Sequence, residues 1–367
     1  MSRLTAPAKR LVKLLVFALV VHLFVIPQIG GARRALTVLG SVDPLLLVTA
    51  LLLELAALVA YARLTQLLIP ERHRPGLPIT FGAVMASTGV NHVVPGGAAT
   101  TAAVNYRLLG RAGVPTDELG FALGTQAIGS AVVLNAILWL ALVVSIPVSG
   151  FHLVYATAAA VGAVLIVLFA SAVVLLLHGS DGLADRVART AGHLPRVEPA
   201  RVRAAMVHLA GQVEALAGDR RRLWTVLAYA TANWLLDAAA LWVAMTAFGP
   251  RPAVVGTLVA YGLANVMAAL PISPGGLGVV EAILIPTLVG FGSPRAQASI
   301  GVVVYRLVNF WMPIPLGAAS YLVVGRLARA RRGPGAIGAP SGDGGARPPD
   351  DDFADEVNRQ AQGAARR

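Results

Sequence analysis

Apolar residues fill this chain in runs long enough to cross a hydrocarbon core as helices, which takes roughly 20 residues. The first run, 14–26, follows Arg3, Lys9, Arg10 and Lys13. A cleaved leader has the same basic-then-apolar order, but the flank offers no small-x-small cleavage site and many more spans follow. A first span at about 11–29, with its N-terminus inside, is therefore expected. Further full spans are expected at about 45–69, 119–147, 152–177, 223–248 and 298–324. The prolines of 70–78 mark a loop, and 147–150 marks a tight turn.

Two stretches break this pattern. Residues 79–94 are apolar but short and carry Thr80, Ser87, Thr88, Asn91 and His92. Pro95-Gly96-Gly97 then separates them from a helical stretch of small residues ending at Gly110. In the same way 253–270 leads into Pro271-Ile272-Ser273-Pro274-Gly275-Gly276-Leu277-Gly278, and a short apolar piece follows to Phe291. No piece alone makes a comfortable crossing, so each pair reads as a re-entrant hairpin or broken helix. The expected fold is an all-α polytopic membrane protein of about six full spans and two such hairpins, countable as eight spans. A β-barrel would instead show alternating segments of about 10 residues.

The one long hydrophilic segment, 178–222, holds Arg186, Arg189, Arg196, Arg201, Arg203, Arg220, Arg221 and Arg222. Its apolar residues Val202, Met206, Leu209, Val213 and Leu216 recur every three or four positions, as in an amphipathic helix lying on a membrane surface. Residues 333–367 are rich in Gly, Pro, Asp and Arg and are expected to be a disordered cytoplasmic tail behind a membrane domain of 1–332.

Composition agrees with this. Hydrophobic residues make up 56% of the 367, and only 13% are charged, about half the usual share for a soluble domain. Basic residues outnumber acidic ones 30 to 18. In a soluble protein that excess would suggest nucleic acid. Here it flanks apolar runs and follows the positive-inside rule, so no nucleic-acid partner is expected. Both termini are placed inside, in a cytoplasmic membrane, and the preference for Arg over Lys suggests a GC-rich bacterial genome. The absence of cysteine removes disulfides and thiolate chemistry.

The two glycine motifs belong to an internal repeat. Pro95-Gly96-Gly97 precedes Gly110, Gly113 and Pro115, and Pro274-Gly275-Gly276 precedes Gly290, Gly292 and Pro294, with the same interval from first to last proline. The spans before them also match, with Leu53-Glu54 to Leu58 resembling Leu236-Asp237 to Leu241. Counting orientations from the N-terminus gives the two halves opposite directions, an inverted-topology repeat. Transporters use such repeats, with sites near the midplane where broken helices meet.

Backbone at membrane depth must be hydrogen-bonded or line a polar cavity. A Pro-Gly-Gly break frees N–H groups at the start of the next helix, where the dipole favours an anion; the alternative is close helix packing through small residues. Ionisable residues inside spans cost about 2.5–3.5 kcal/mol on the insertion scale and mark a pathway or a pair. On the functional reading Arg107 and Arg306 bind phosphate, with Asn91, Asn309 and the backbone at Gly96, Gly97, Gly275 and Gly276, while Glu281, Glu54 and Asp237 gate or balance charge. The alternative is a set of buried ion pairs that fix helix packing. The charges do not repeat, because Ala102 and Pro286 stand where the other half has Glu281 and Arg107. No metal-ligand spacing, nucleophile–base set or Walker loop is visible, so no cofactor and no enzymatic activity are expected.

Asn91-His-Val-Val-Pro95-Gly96-Gly97, Tyr106-Arg107 through Gly113, Leu270-Pro-Ile-Ser-Pro-Gly-Gly-Leu-Gly-Val-Val-Glu281 and Tyr305-Arg306-Leu through Pro313 and Gly317 resemble the lysylphosphatidylglycerol synthase transmembrane-region family of flippase-like proteins. The resemblance covers about 10–325. It implies movement of amphipathic lipids between leaflets. Two-part members carry a cytosolic aminoacyl-transferase domain, and none is expected after Arg332. The leading expectation is translocation of a phosphate-bearing lipid. The second is a non-transporting subunit that anchors a separate lipid-modifying or glycosyltransferase enzyme through 178–222.

Overall fold

The computed structural model describes residues 43–94, 97–149, 218–269 and 273–331. The expected spans at 11–29 and 152–177, Pro95 and Gly96, nearly all of the 178–222 segment and the 333–367 tail lie outside the described residues. Asp43 opens the first described helix, α1 (Pro44–Leu68), with its carboxylate accepting from the Leu45 N–H at 2.9 Å and proline at the first helical position, where no hydrogen bond is lost. After a 3₁₀ turn at Glu71–His73 come α2 (Leu77–Val93), α3 (Gly97–Arg111) and α4 (Thr116–Ser149). The second half has α5 (Arg220–Thr246), α6 (Val254–Ala268), a 3₁₀ turn at Pro274–Gly276, α7 (Val279–Gly290), α8 (Arg295–Arg306), a π turn at Leu307–Trp311 and α9 (Pro313–Arg331). No strand occurs among the described residues.

Helix length separates two classes. Among the described residues, four stretches are long and apolar enough to cross a membrane: Pro44–Leu68, Thr116–Ile146, Arg220–Thr246 and Arg295–Arg326. At 1.5 Å per residue, the 12 residues of α7 cover only about 18 Å of a hydrocarbon core about 30 Å thick. The 15-residue α3 and α6 are nearly as short. Leu45, Leu52, Leu140, Trp224 and Leu322 are exposed, one or more on each of the four long stretches. Hydrocarbon is the medium that accepts such side chains on so many faces at once. α4 carries the helix through Pro147 to Ser149, within the expected 147–150 turn, and Gly150 lies outside the described residues. The last span, expected at 298–324, falls within the stretch Arg295–Arg326 and contains an irregularity: Pro313 has no N–H to give, and the chain accommodates it with a π turn closed by Met312 N–H donating to Leu307 O at 3.0 Å.

The repeat is visible in the element series and in matching turns. Gly113 and Gly292 both adopt positive φ, at 100° and 90°. Val114 N–H bonds Leu109 O at 3.2 Å, and Ser293 N–H bonds Leu288 O at 3.0 Å, the six-to-one closure of a Schellman cap in each half. Pro115 and Pro294 then launch α4 and α8.

The halves run in opposite directions. Arg222, at the start of α5, donates from Nη2 and Nε to Leu67 O, at the end of α1, at 2.7 and 3.1 Å. Midway along both helices Glu54 and Asp237 share the Asn309 amide. These contacts fix α1 and α5 as an antiparallel pair. The guanidinium also caps a helix C-terminus, where the dipole favours positive charge. Each half then lends a short helix to the other. α2 packs on α9 so closely that a Cβ on Gly317 would sit 2.6 Å from Met85 O, and one on Gly89 would sit 2.7 Å from Pro313 O. Across the bundle, α6 approaches Leu138 of α4 through Gly262. In lipid such close backbone packing replaces the hydrophobic drive between helices.

Two stability outcomes follow from this packing. Gly317→Val should destabilise the folded protein by about 1–3 kcal/mol through overpacking, whereas Gly124→Ala, at a site with open space around the new Cβ, should be neutral or stabilising; thermal melts in detergent measure both. Arg222→Ala, which uncaps α1, should cost about 1–2 kcal/mol in the same assay.

Candidate functional site

The Pro-Gly-Gly break of the second half creates a need for partners and brings them together. Gly275 and Gly276 have φ of 53° and 69°, a conformation that residues with a Cβ rarely adopt. In this turn Gly276 N–H bonds Ser273 O at 3.2 Å and Leu277 N–H bonds Pro274 O at 3.1 Å. The next N–H, that of Gly278, donates to Glu281 Oε2 at 2.7 Å, so Glu281 caps its own helix α7. Three N–H groups of the break, those of Gly276, Leu277 and Gly278, are thus engaged within the protein.

Arg306 of α8 closes the arrangement from the other side. Its Nε donates to Glu281 Oε1 at 2.7 Å, and its Nη2 donates to Gly275 O at 3.3 Å. Its guanidinium carbon lies 4.5 Å from the centre of the Phe310 ring, a cation–π contact. His92, at the end of α2, stacks on the same ring with centroids 4.4 Å apart. His92 Nδ1 lies 2.9 Å from Phe310 O. A carbonyl only accepts, so Nδ1 carries the hydrogen there. The residues just before the first Pro-Gly-Gly therefore touch the second one, as a site between two helix breaks requires.

Between them lies a cavity of about 190 Å³. The ends of α2 and α6 contribute Asn91, His92 and Asn265; the 3₁₀ turn contributes Ser273, Gly275 and Gly276; α8 and the π turn contribute Tyr305, Arg306 and Asn309. Asn91 Oδ1 and Ser273 Oγ are buried without a hydrogen-bond partner among the described residues. Buried polar atoms are usually paired, so these two point to something polar in the cavity. Arg306 is 5% exposed, and among the described residues two of the five N–H donors of its guanidinium find partners. About 190 Å³ is the volume of roughly six waters, enough for a small charged group and too little for a lipid with its chains.

Behind the cavity sits a buried acidic pair. Asp237 accepts from Tyr305 Oη on Oδ1 and from Tyr261 Oη on Oδ2, both at 2.7 Å. Asn309 Nδ2 bridges Asp237 Oδ1 at 3.2 Å and Glu54 Oε1 at 3.1 Å.

Of the residues expected to bind substrate, Asn91, Gly275, Gly276, Arg306 and Asn309 line this one cavity. Arg107 does not: it is exposed on α3 and absent from the lining. Gly97 begins α3. Glu281 meets Arg306, and Glu54 meets Asp237 through Asn309. Sequence reasoning passed over His92, Asn265, Ser273, Tyr261 and Tyr305 as site residues. Their signal was polarity within short apolar helices or within the glycine motif itself.

Comparison with known proteins agrees with this architecture. Two relatives from Methanothermobacter thermautotrophicus, each described as a UPF0104 membrane protein, are 33% identical over 86 residues and 31% identical over 87 residues. The alignments cover 23% and 24% of this chain and 26% of each relative, so the chain matches about a quarter of their length. Residues 10–317 match the family described as the Lysylphosphatidylglycerol synthase TM region. That match takes in α1 to α8, the π turn and the start of α9, and the chain belongs to this family of membrane proteins.

Proposed function

We propose that the protein moves a phosphate-bearing lipid between leaflets of a cytoplasmic membrane, without chemical conversion, by passing the head group through the cavity while the acyl chains stay in the bilayer. The single observation that carries this reading is the cavity itself, a polar space walled by broken helices and one buried arginine. Arg306 is anchored on one edge by Glu281 and Gly275 O, which orients the remaining donors for a planar, forked grip on phosphate oxygens. Asn91 and Ser273 supply further polar atoms that lack partners within the protein. An anion would use the guanidinium donors that Glu281 and Gly275 O leave open, so the Arg306–Glu281 pair stays intact while the group binds. Family membership and the inverted repeat support transport, since sites between oppositely oriented broken helices suit alternating access. The basic segments 178–222 and 326–332 support cytoplasmic termini.

Reconstitution tests this. Purified protein in liposomes should accelerate the inward and outward exchange of fluorescently tagged glycerophospholipids. Arg306→Lys, which keeps the charge but loses the fork, and the double variant Asn91→Leu/Ser273→Ala should each slow exchange about tenfold, a loss of about 1.4 kcal/mol, with melting behaviour preserved. Exchange at the native rate in both variants overturns the site. Native protein that moves no lipid but co-purifies stoichiometrically with a lipid-modifying enzyme would replace transport with an anchoring role.

A further inference from the structure

The acidic pair behind the cavity is not explained by head-group binding. Glu54 is 3% exposed, and its buried Oε2 has no hydrogen-bond partner among the described residues, although the other three oxygens of the pair all accept. The groups facing the pair are Tyr261 of α6, Tyr305 of α8 and Asn309 of the π turn, all neutral donors. The cation next along α8, Arg306, is held by Glu281. Two ionised carboxylates sharing one amide in an apolar interior would carry two uncompensated negative charges, which two carboxyls at one site do not sustain. A metal ion would need lone pairs turned inward, but two hydroxyls and an amide present hydrogens to these oxygens. One proton satisfies the count: it removes one charge and uses the oxygen left over.

We propose that Glu54 and Asp237 form a proton-binding site, with the proton on Glu54 Oε2, and that its occupancy is coupled to that of the cavity through Asn309 and Tyr305. Both coupling residues line the cavity and also bond the carboxyls. Asn309 sits in the π turn, a type of helix irregularity frequent at functional sites. An anionic group arriving beside Arg306 adds negative charge next to the pair, so group and proton favour each other's binding, and the effect is reciprocal. The coupling rests on the proposed head-group role of the cavity; the proton site does not.

The experiment uses the full chain in phosphatidylcholine nanodiscs. Infrared spectra at alkaline pH, where exposed carboxyls are ionised, should show a protonated-carboxyl carbonyl band. Glu54→Gln should abolish it, and Glu281→Gln should leave it in place. If Glu54→Gln does not fold, Asp237→Asn serves, because changing the neighbour should shift the band frequency. At the more alkaline pH where that band has half disappeared, adding glycerol 3-phosphate in weak buffer should draw in up to about half a proton per molecule bound, by indicator dye, and this uptake should vanish in Glu54→Gln. A missing band, a band unchanged in both carboxyl variants, or a sodium-dependent response in place of a pH-dependent one overturns the proton site. A band without uptake overturns the coupling. A band with uptake in a protein that moves no lipid leaves this proposal standing and defeats the transport reading alone.

Discussion

A chain that breaks its helices at membrane depth must find a partner for each N–H and C=O that the break releases, because hydrocarbon offers none. Around Pro274–Gly276 that obligation accounts for most of the charged residues in the site. Gly278 N–H goes to Glu281, Gly275 O goes to Arg306, and Phe310 O in the π turn goes to His92. Glu281 and Arg306 then neutralise each other at 2.7 Å. The ion pair and the broken backbone are thus one structure. Removing either member uncovers both a charge and a backbone group, which makes the pair expensive to lose and accounts for its depth.

This dual duty bears on whether the buried charges serve packing or function. A pair that only fixed packing would be closed on all sides, with each donor used within the protein. Arg306 is not closed: its guanidinium reaches the lining of a space that also holds unpartnered atoms of Asn91 and Ser273. Packing needs are met elsewhere by other means. The approach of α2 to α9 uses glycine against backbone, and the antiparallel α1–α5 pair uses a guanidinium on a helix end. Where this protein needs only adhesion, it uses small residues and capping. Around Arg306 it sets charge beside polar space.

Much of the scaffold was readable from sequence because its signals are local. Run length separates long spans from short ones, and the Gly113/Pro115 and Gly292/Pro294 turns repeat at a fixed spacing because the same Schellman cap closes both hairpins. The site was readable where a polar residue interrupts an apolar span or sits about a turn before a glycine motif: Arg306 and Asn309 lie inside the last span, and Asn91 lies just before Pro95-Gly96-Gly97. Arg107 shows the limit. It lies in a helix after a Pro-Gly-Gly motif, as Glu281 does, yet it is exposed, because which face of α3 looks inward is set by packing on α2 and α4 and not by distance from the glycines. The π turn was hidden for a similar reason: Pro313 announces a defect, but whether a helix kinks, stops or inserts a residue depends on its neighbours.

The unequal charges of the two halves bring these points together. An inverted repeat with identical chemistry in both halves would present the same surface to each leaflet and would have no built-in direction. Here the scaffold repeats while Glu281 and Arg306 occur in one half only, facing Ala102 and Ala127 in the other by the interval that separates the prolines. The cavity therefore belongs to the second break, with the first half contributing the end of α2 as a wall. The acidic pair is the exception, with one carboxylate from each half meeting between α1 and α5. It sits where the two halves must slide or rock if either is to open. A group at that seam feels the relative position of the halves more directly than one inside either hairpin, and Asn309, which touches both carboxyls and the cavity, is the residue that links the seam to the cavity.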